Sequence, residues 1–396
     1  MDDIDPHFDG LTKGLPHTAG RIALSSIGGR GWRLLEHDLP LPVAVLRDAA
    51  LTGNSRWMRA FLEASGARLA PHGKTTMSPE LFARQLADGA WGLTVATAQQ
   101  MRVARQAGVD RIFIANELVG PQDIDYVLDA MAVYASVEVY VLADSLDVVR
   151  RLAAQAELRS APGRLNVLVE MGYPGGRAGC RDLGTALEVA SAIRAAGPRL
   201  ALAGVEAFEG LNQTLPPAEG LAKVKGVLSA VAEAARAMDA QGLFGGDQVM
   251  LSAGGSAYYD LVVAELGAVR LSRPVLLLLR SGCYLTHDAG IYERSFGDVL
   301  SRSDAARELP GGFENALEVW AYVLSIPEPG RAILGAGRRD FGHDAGPPRP
   351  LKQFRPGRDE RPSPAGAWEI AAINDQHAHM IFPAAQDLAV GDMIAL

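Results

Sequence analysis

Cysteine is scarce in this chain of 396 residues, with only Cys180 and Cys283 present. They form no Cys-x-x-Cys pair and sit at no metal-ligand spacing, which excludes a disulfide framework and fits a reducing compartment. Aromatic residues are few, at 6%. A basic excess is also missing, since the formal net charge is -8. Nucleic acid normally needs a basic face, so that partner is set aside. Acidity of this size bears on solubility more than on substrate. Long apolar runs are missing as well. The longest bare run, residues 275–279, falls far short of the roughly 20 residues a membrane helix needs. The opening Met1-Asp2-Asp3-Ile4-Asp5 is acidic where a signal peptide would be basic and then apolar. A cytoplasmic protein with no membrane partner is the expectation.

What is present reads as an enzyme-sized globular chain. Apolar residues make up 48% and charged residues 21%, and the length suits one large domain plus a smaller one. Val43-Ala44-Val45-Leu46 reads as a strand, followed by a helix over residues 48–65. Short apolar runs then recur at 67–70, 92–96, 111–115, 137–142, 165–169, 200–207, 248–252 and 275–279. Between them lie amphipathic helical stretches at 79–88, 98–107, 121–134, 145–158, 183–196 and 221–241. The runs are apolar throughout, as parallel strands covered on both faces should be. A doubly wound sheet shows the same alternation, but about eight strand-helix units favour a closed (β/α)8 barrel of the TIM type over residues 41–299. Beyond residue 300 the pattern turns to β segments at 316–326, 331–334, 368–373 and 379–382. A stretch dense in proline, glycine and arginine, 342–366, reads as a long surface loop. This gives a smaller C-terminal β-domain over 300–396, completed by residues 1–40 with a candidate strand at 32–35.

Active-site groups of such a barrel sit at the C-terminal ends of its strands. The first run ends in Pro71-His72-Gly73-Lys74-Thr75-Thr76, which presents one lysine just before a helix start. Lys74 is the candidate to form a Schiff base with a cofactor aldehyde. His72, two residues earlier, either orients it or touches the cofactor. Thr97 and Asn116 follow the second and third runs, and Glu170, Tyr173 and Arg177 follow the fifth. After the seventh comes Ser252-Ala253-Gly254-Gly255-Ser256 and then a short helix at 257–265. Glycine amides and a helix start suit an anion, and barrels favour phosphate after strands seven and eight. A reactive lysine facing a phosphate turn points to pyridoxal phosphate.

In combination, Pro71-His72-Gly73-Lys74-Thr75, Glu170-x-Gly172 with Arg177 and Gly179, and Ser252-x-Gly254-Gly255-Ser256 resemble the alanine-racemase-like (fold type III) pyridoxal-phosphate enzymes. They are most like the D-serine dehydratase and D-threonine aldolase group, described as amino acid deaminase-like. The likeness spans about residues 35–396. It implies that Lys74 carries the cofactor, that Arg177 lies near its ring, and that Ser252, Gly254, Gly255 and Ser256 hold its phosphate. His72, Thr97, Asn116 and Tyr173 complete the implied cofactor site.

The resemblance also implies a homodimer and a divalent metal, zinc or manganese, held by a His-x-Cys or His-x-Asp pair close to the C-terminus. No such pair occurs in the last hundred residues, and the chain stops at Leu396 where the ligand segment would follow. His377-x-His379 is the only suggestive pair there. It reads as strand-like, with both imidazoles on one side. His377 is taken to face the active site from the β-domain, and no metal ligand is assigned. The activity implied is a lyase on a D-β-hydroxy amino acid, foremost a D-serine deaminase yielding a 2-oxo acid and ammonia. Retro-aldol cleavage to glycine and an aldehyde, racemisation, and cofactor binding without turnover are the alternatives.

Overall fold

The computed structural model describes residues 5–159, 163–210 and 215–396; the acidic stretch at residues 1–4 lies outside them. The chain divides into two units, one of residues 1–52, 286–294 and 313–396, the other of residues 53–285 and 295–312.

The second unit contains the barrel. Its strands are Arg68–Leu69, Leu93–Val95, Arg111–Glu117, Glu138–Ala143, Leu165–Met171, Leu200–Ala207, Val249–Ala253 and Val275–Leu279. Their spatial order runs first, eighth, seventh, sixth, fifth, fourth, third, second, and each paired strand runs parallel to its neighbour. A parallel bridge between His72 and Thr94, with Thr94 N donating to Pro71 O at 3.0 Å, joins the two ends of that order. The closed alternative expected from the count of eight is therefore the observed one.

Helix starts are encoded locally. Ser78, Thr97, Ser145 and Asp182 each accept a backbone N–H with the side chain, capping Pro79–Ala87, Ala98–Gln106, Leu146–Leu158 and Leu183–Ala195. Pro121 and Pro217 open Pro121–Val133 and Pro217–Ala240, where a missing N–H costs nothing.

Strand periodicity sets the interior. Ala70, Phe113, Leu142, Leu168, Met250 and Leu278 form one buried cluster inside the barrel. Side chains alternate along a strand, so the residue two positions later shares the same face. Those positions hold His72, Ala115, Asp144, Glu170, Ser252 and Arg280. Gly204 pairs with Leu168 in register and Glu206 with Glu170, so Glu206 joins this layer. An apolar plug thus lies directly beneath a polar layer.

The first unit holds an antiparallel sheet in the order Ser363–Pro364, Lys352–Phe354, Met393–Ala395, Leu317–Glu328, Arg331–Leu334, Ala378–Ile381, Glu369–Ile373. Trp368, Met380, Phe382, Leu334 and Ile394 pack its main core. Val43–Leu46 pairs antiparallel with Leu317–Glu328 and so belongs to this sheet. Residues 32–35 form no strand: Leu34–Glu36 is a 3-10 turn, and the N-terminal strands are His7–Phe8 and Ile22–Ala23. The proline-rich stretch 342–366 includes the short strands Lys352–Phe354 and Ser363–Pro364. Elements this short carry no periodicity, which is why composition alone reads as loop. Among the described residues no helix is long and apolar enough to cross a membrane.

Phe113 is fully buried in the barrel plug. Phe113→Ala is expected to lower stability by about 3–5 kcal/mol in urea unfolding. Leu11, 95% exposed, serves as the control; Leu11→Ser should change stability by less than about 0.5 kcal/mol.

Candidate active site

Lys74 stands in a single 3-10 turn, Gly73–Thr75, directly after the extended His72. Thr76 N and Met77 N both donate back to Gly73 O, at 3.2 and 2.8 Å, which fixes the turn. Met77 then takes a φ of 46°, a left-handed conformation uncommon for a residue with a side chain. Lys74 remains exposed to solvent. Even so its pKa is lowered from the usual lysine value, first by partial desolvation and then by Arg177, with Arg280 adding to the effect and Cys283 opposing it. Two guanidinium groups thus favour the neutral amine that nucleophilic chemistry needs.

His72 lies beneath. Burial pushes its pKa down to about 3, and Lys74, Arg280 and Arg177 push the same way. The imidazole is neutral at physiological pH. Its buried Nδ1 has no hydrogen-bond partner among the described residues.

The polar layer is built around an ion pair that the sequence reading passes over. Arg280 Nη1 meets Glu206 Oε2 at 2.6 Å, with side chains 4% and 1% exposed. Arg280 follows the eighth strand and Glu206 lies near the end of the sixth; these strands are not neighbours, and the seventh lies between them. Gly254 directly follows the seventh strand, and a Cβ there would come within 2.5 Å of Arg280 Nε. Glycine therefore clears the path by which Arg280 crosses to Glu206. Arg280 Nη2 also donates to Ala207 O at 3.0 Å, and the guanidinium lies 4.9 Å from the Phe113 ring centre.

Glu170 lacks such a cation. Burial, the nearby Glu206 and a hydrogen bond with Glu117 push its pKa up to about 10. Burial pushes Glu206 upward too, and Arg280 pulls against that shift. Periodicity contained the signal for both Glu206 and Arg280. Each is a lone charge two residues past an interior position of an apolar strand, and a buried charge needs a partner.

The other sequence-nominated residues are placed as follows. Arg177 is exposed, rests 5.3 Å over the Phe208 ring, and acts electrostatically on Lys74, His72 and Glu170. Tyr173 carries Lys223 Nζ 4.1 Å above its ring. Thr97 Oγ1 accepts from Gln100 N at 3.1 Å as a helix cap, and Asn116 Nδ2 donates to Ala96 O at 3.4 Å. Buried Ser252 donates its hydroxyl to Leu278 O at 2.8 Å. Gly254 N and Gly255 N donate to Glu209, and Ser256 Oγ accepts from Cys283 N at 3.4 Å.

His377 belongs to the other unit. It does not lie on a strand with His379 as expected. It is exposed in the turn between Glu369–Ile373 and Ala378–Ile381, where its carbonyl accepts from Asn374 N at 2.8 Å. His379 Nε2 pairs with Asn374 Oδ1 at 2.7 Å. Among the described residues no group of three or more His, Cys, Asp or Glu side chains is arranged to hold a metal ion.

The donor set of the barrel suits pyridoxal phosphate. It offers an amine with a lowered pKa for the aldehyde, an imidazole nitrogen without a partner, a guanidinium resting on a ring, and a Gly-Gly-Ser turn ahead of the helix Tyr259–Leu266.

Comparisons with known proteins give the family and the fold. Residues 47–271 match the family model described as Alanine racemase, N-terminal domain, and residues 316–396 match the one described as Putative serine dehydratase domain. D-threonine aldolase of Arthrobacter sp is 30% identical over 359 residues, 90% of this chain and 84% of that protein. D-threo-3-hydroxyaspartate dehydratase of Delftia sp. (strain HT23) is 27% identical over 320 residues, 80% of this chain and 76% of that protein. The crystal structure of D-threonine aldolase from Filomicrobium marinum superposes with a TM-score of 0.72 at 23% identity, covering 91% of this chain and 87% of that one. This likeness is one of fold.

Arg177→Ala is expected to raise the Lys74 pKa toward its ordinary value, because removing a positive neighbour stabilises the ammonium. The pH dependence of Lys74 acylation in cofactor-free protein, followed by peptide mass spectrometry, reads this directly. An unmoved profile would mean that Arg177 does not set the state of the amine.

Proposed function

The chain belongs to the alanine-racemase-like family of pyridoxal-phosphate enzymes, and we propose that within it this protein is a lyase acting on D-β-hydroxy amino acids. The observation that carries the reading is Lys74 in the turn Gly73–Thr75 that follows the first barrel strand, where partial desolvation, Arg177 and Arg280 lower its pKa. Lys74 would carry the cofactor; His72, Arg177 and the turn leading to Ser256 would hold its ring and phosphate. When bound, the cofactor supplies an electron-withdrawing ring that stabilises negative charge at the substrate α-carbon.

The protein's own groups divide the remaining work. Lys74 Nζ, in its unprotonated form, takes the α-proton of the bound amino acid. Arg177 and Lys223 make no ion pair among the described residues, and they offer positive charge to the carboxylate of an incoming amino acid. Within the buried layer Arg280 answers Glu206, and burial together with Glu206 and Glu117 pushes the Glu170 pKa up. Loss of the β-hydroxyl as water, then hydrolysis of the released enamine, gives a 2-oxo acid and ammonia.

Elimination from D-serine is the first reading, supported by the match of residues 316–396 to the model described as Putative serine dehydratase domain. Retro-aldol cleavage is the second, supported by the likeness to D-threonine aldolase. There the base takes the β-hydroxyl proton, and glycine and an aldehyde result. A homodimer and a cytoplasmic location stand as parts of the same proposal.

The test incubates the cofactor-loaded protein with D-serine, D-threonine and D-threo-3-hydroxyaspartate, with and without zinc or manganese. Ammonia with a 2-oxo acid is the expected outcome. Glycine with an aldehyde would move the assignment to the second reading. No product from any of the three would overturn the lyase proposal.

A further inference from the structure

Glu209 follows the sixth strand by two residues and has no exposed surface. Its carboxylate is held at both oxygens: Gly254 N donates to Oε2 at 3.1 Å and Gly255 N to Oε1 at 2.7 Å. A Cβ on Gly255 would lie 2.7 Å from Glu209 Oε1, so the second glycine of the turn is shaped to this carboxylate. The two glycine amides that the sequence assigns to a phosphate are therefore already taken. A carboxylate with no exposed surface and two backbone donors is part of the wall, not an ion waiting to be displaced.

Next along the turn, the N–H groups of Ser256 and Ala257 meet no acceptor among the described residues. They precede the helix Tyr259–Leu266, whose start adds partial positive charge. Ser256 is fixed from the other side by Cys283 N, and Ser281 Oγ donates to Gly255 O at 3.0 Å.

We propose that Glu209 is a positioning residue that latches Gly254 and Gly255 and so presents the Ser256 and Ala257 amides to the cofactor phosphate. The latch touches no reacting atom. It acts on the phosphate and on nothing else the cofactor carries. The proposal rests on pyridoxal phosphate being the cofactor.

The test compares two cofactor forms in cofactor-free protein, using the visible absorption of the bound chromophore. Pyridoxal 5'-phosphate and pyridoxal share the aldehyde and differ in the phosphate. Glu209→Ala is expected to weaken pyridoxal phosphate about 10- to 100-fold, the scale of hydrogen bonds to a charged group. Pyridoxal affinity should change by less than about threefold, within the scatter of such measurements. Glu209→Gln, which keeps one acceptor and turns a donor toward the other amide, should lose affinity in the same selective way. Gly255→Ala attacks the contact from the opposite side and keeps the question open to refutation if the Glu209 variants fail to fold. Equal weakening of both forms would show a merely structural tie and overturn the proposal. Tighter binding of pyridoxal phosphate would show that Glu209 competes with the phosphate, which also overturns it. Wild-type protein that takes up no pyridoxal phosphate would overturn the cofactor reading and the latch with it.

Discussion

Arg280 and Glu206 meet at 2.6 Å inside the barrel, almost without exposed surface, and the rest of the mouth is arranged around them. Removing two charges from water is costly unless each is paired and its remaining hydrogen-bonding capacity is used. The structure meets that demand in several ways. Ala207 O accepts a second bond from Arg280, the Phe113 ring lies against the guanidinium, and Gly254 gives it room to cross the seventh strand. Once the pair is in place, its cation acts on its neighbours. Arg280 helps to keep His72 neutral and to lower the pKa of Lys74.

The same economy of charge governs the acids. Four glutamates, at 117, 170, 206 and 209, lie in or beside the polar layer, and burial pushes the pKa of Glu170, Glu206 and Glu209 upward. Glu206 is answered by Arg280 and Glu209 by two backbone amides, while burial, Glu206 and Glu117 push the Glu170 pKa up. Cations stand beside them: Arg177 and Lys223 rest on aromatic rings, and the Lys74 pKa is lowered. Phosphate and amino-acid carboxylates suit such a mouth.

Much of this was legible in the sequence because it is local. Uniformly apolar runs separated by amphipathic helices specify parallel strands covered on both faces, and their number, about eight, favours the closed barrel over an open doubly wound sheet. Lys74 was visible for the same reason, as a lone lysine at the end of such a run. What was not legible depends on which strands meet in space. Arg280 and Glu206 lie far apart in sequence, and it is the strand order that sets the sixth and eighth strands on either side of the seventh. Gly254 and Gly255 invited a phosphate reading, and their spacing cannot reveal that side chains from other strands need the room. His377 misled in the opposite direction. Alternation with His379 suggested a strand, but the chain turns there, because Asn374-Asp375-Gln376 closes a hairpin.

Everything proposed for the mouth depends on one bond-forming amine. Incubating the protein with pyridoxal phosphate, reducing it with borohydride and mapping the modified peptide tests that dependence most directly. The modification is predicted on Lys74 and to be lost in Lys74→Ala. A label on another lysine, or no reducible adduct at all, would contradict the account at its centre.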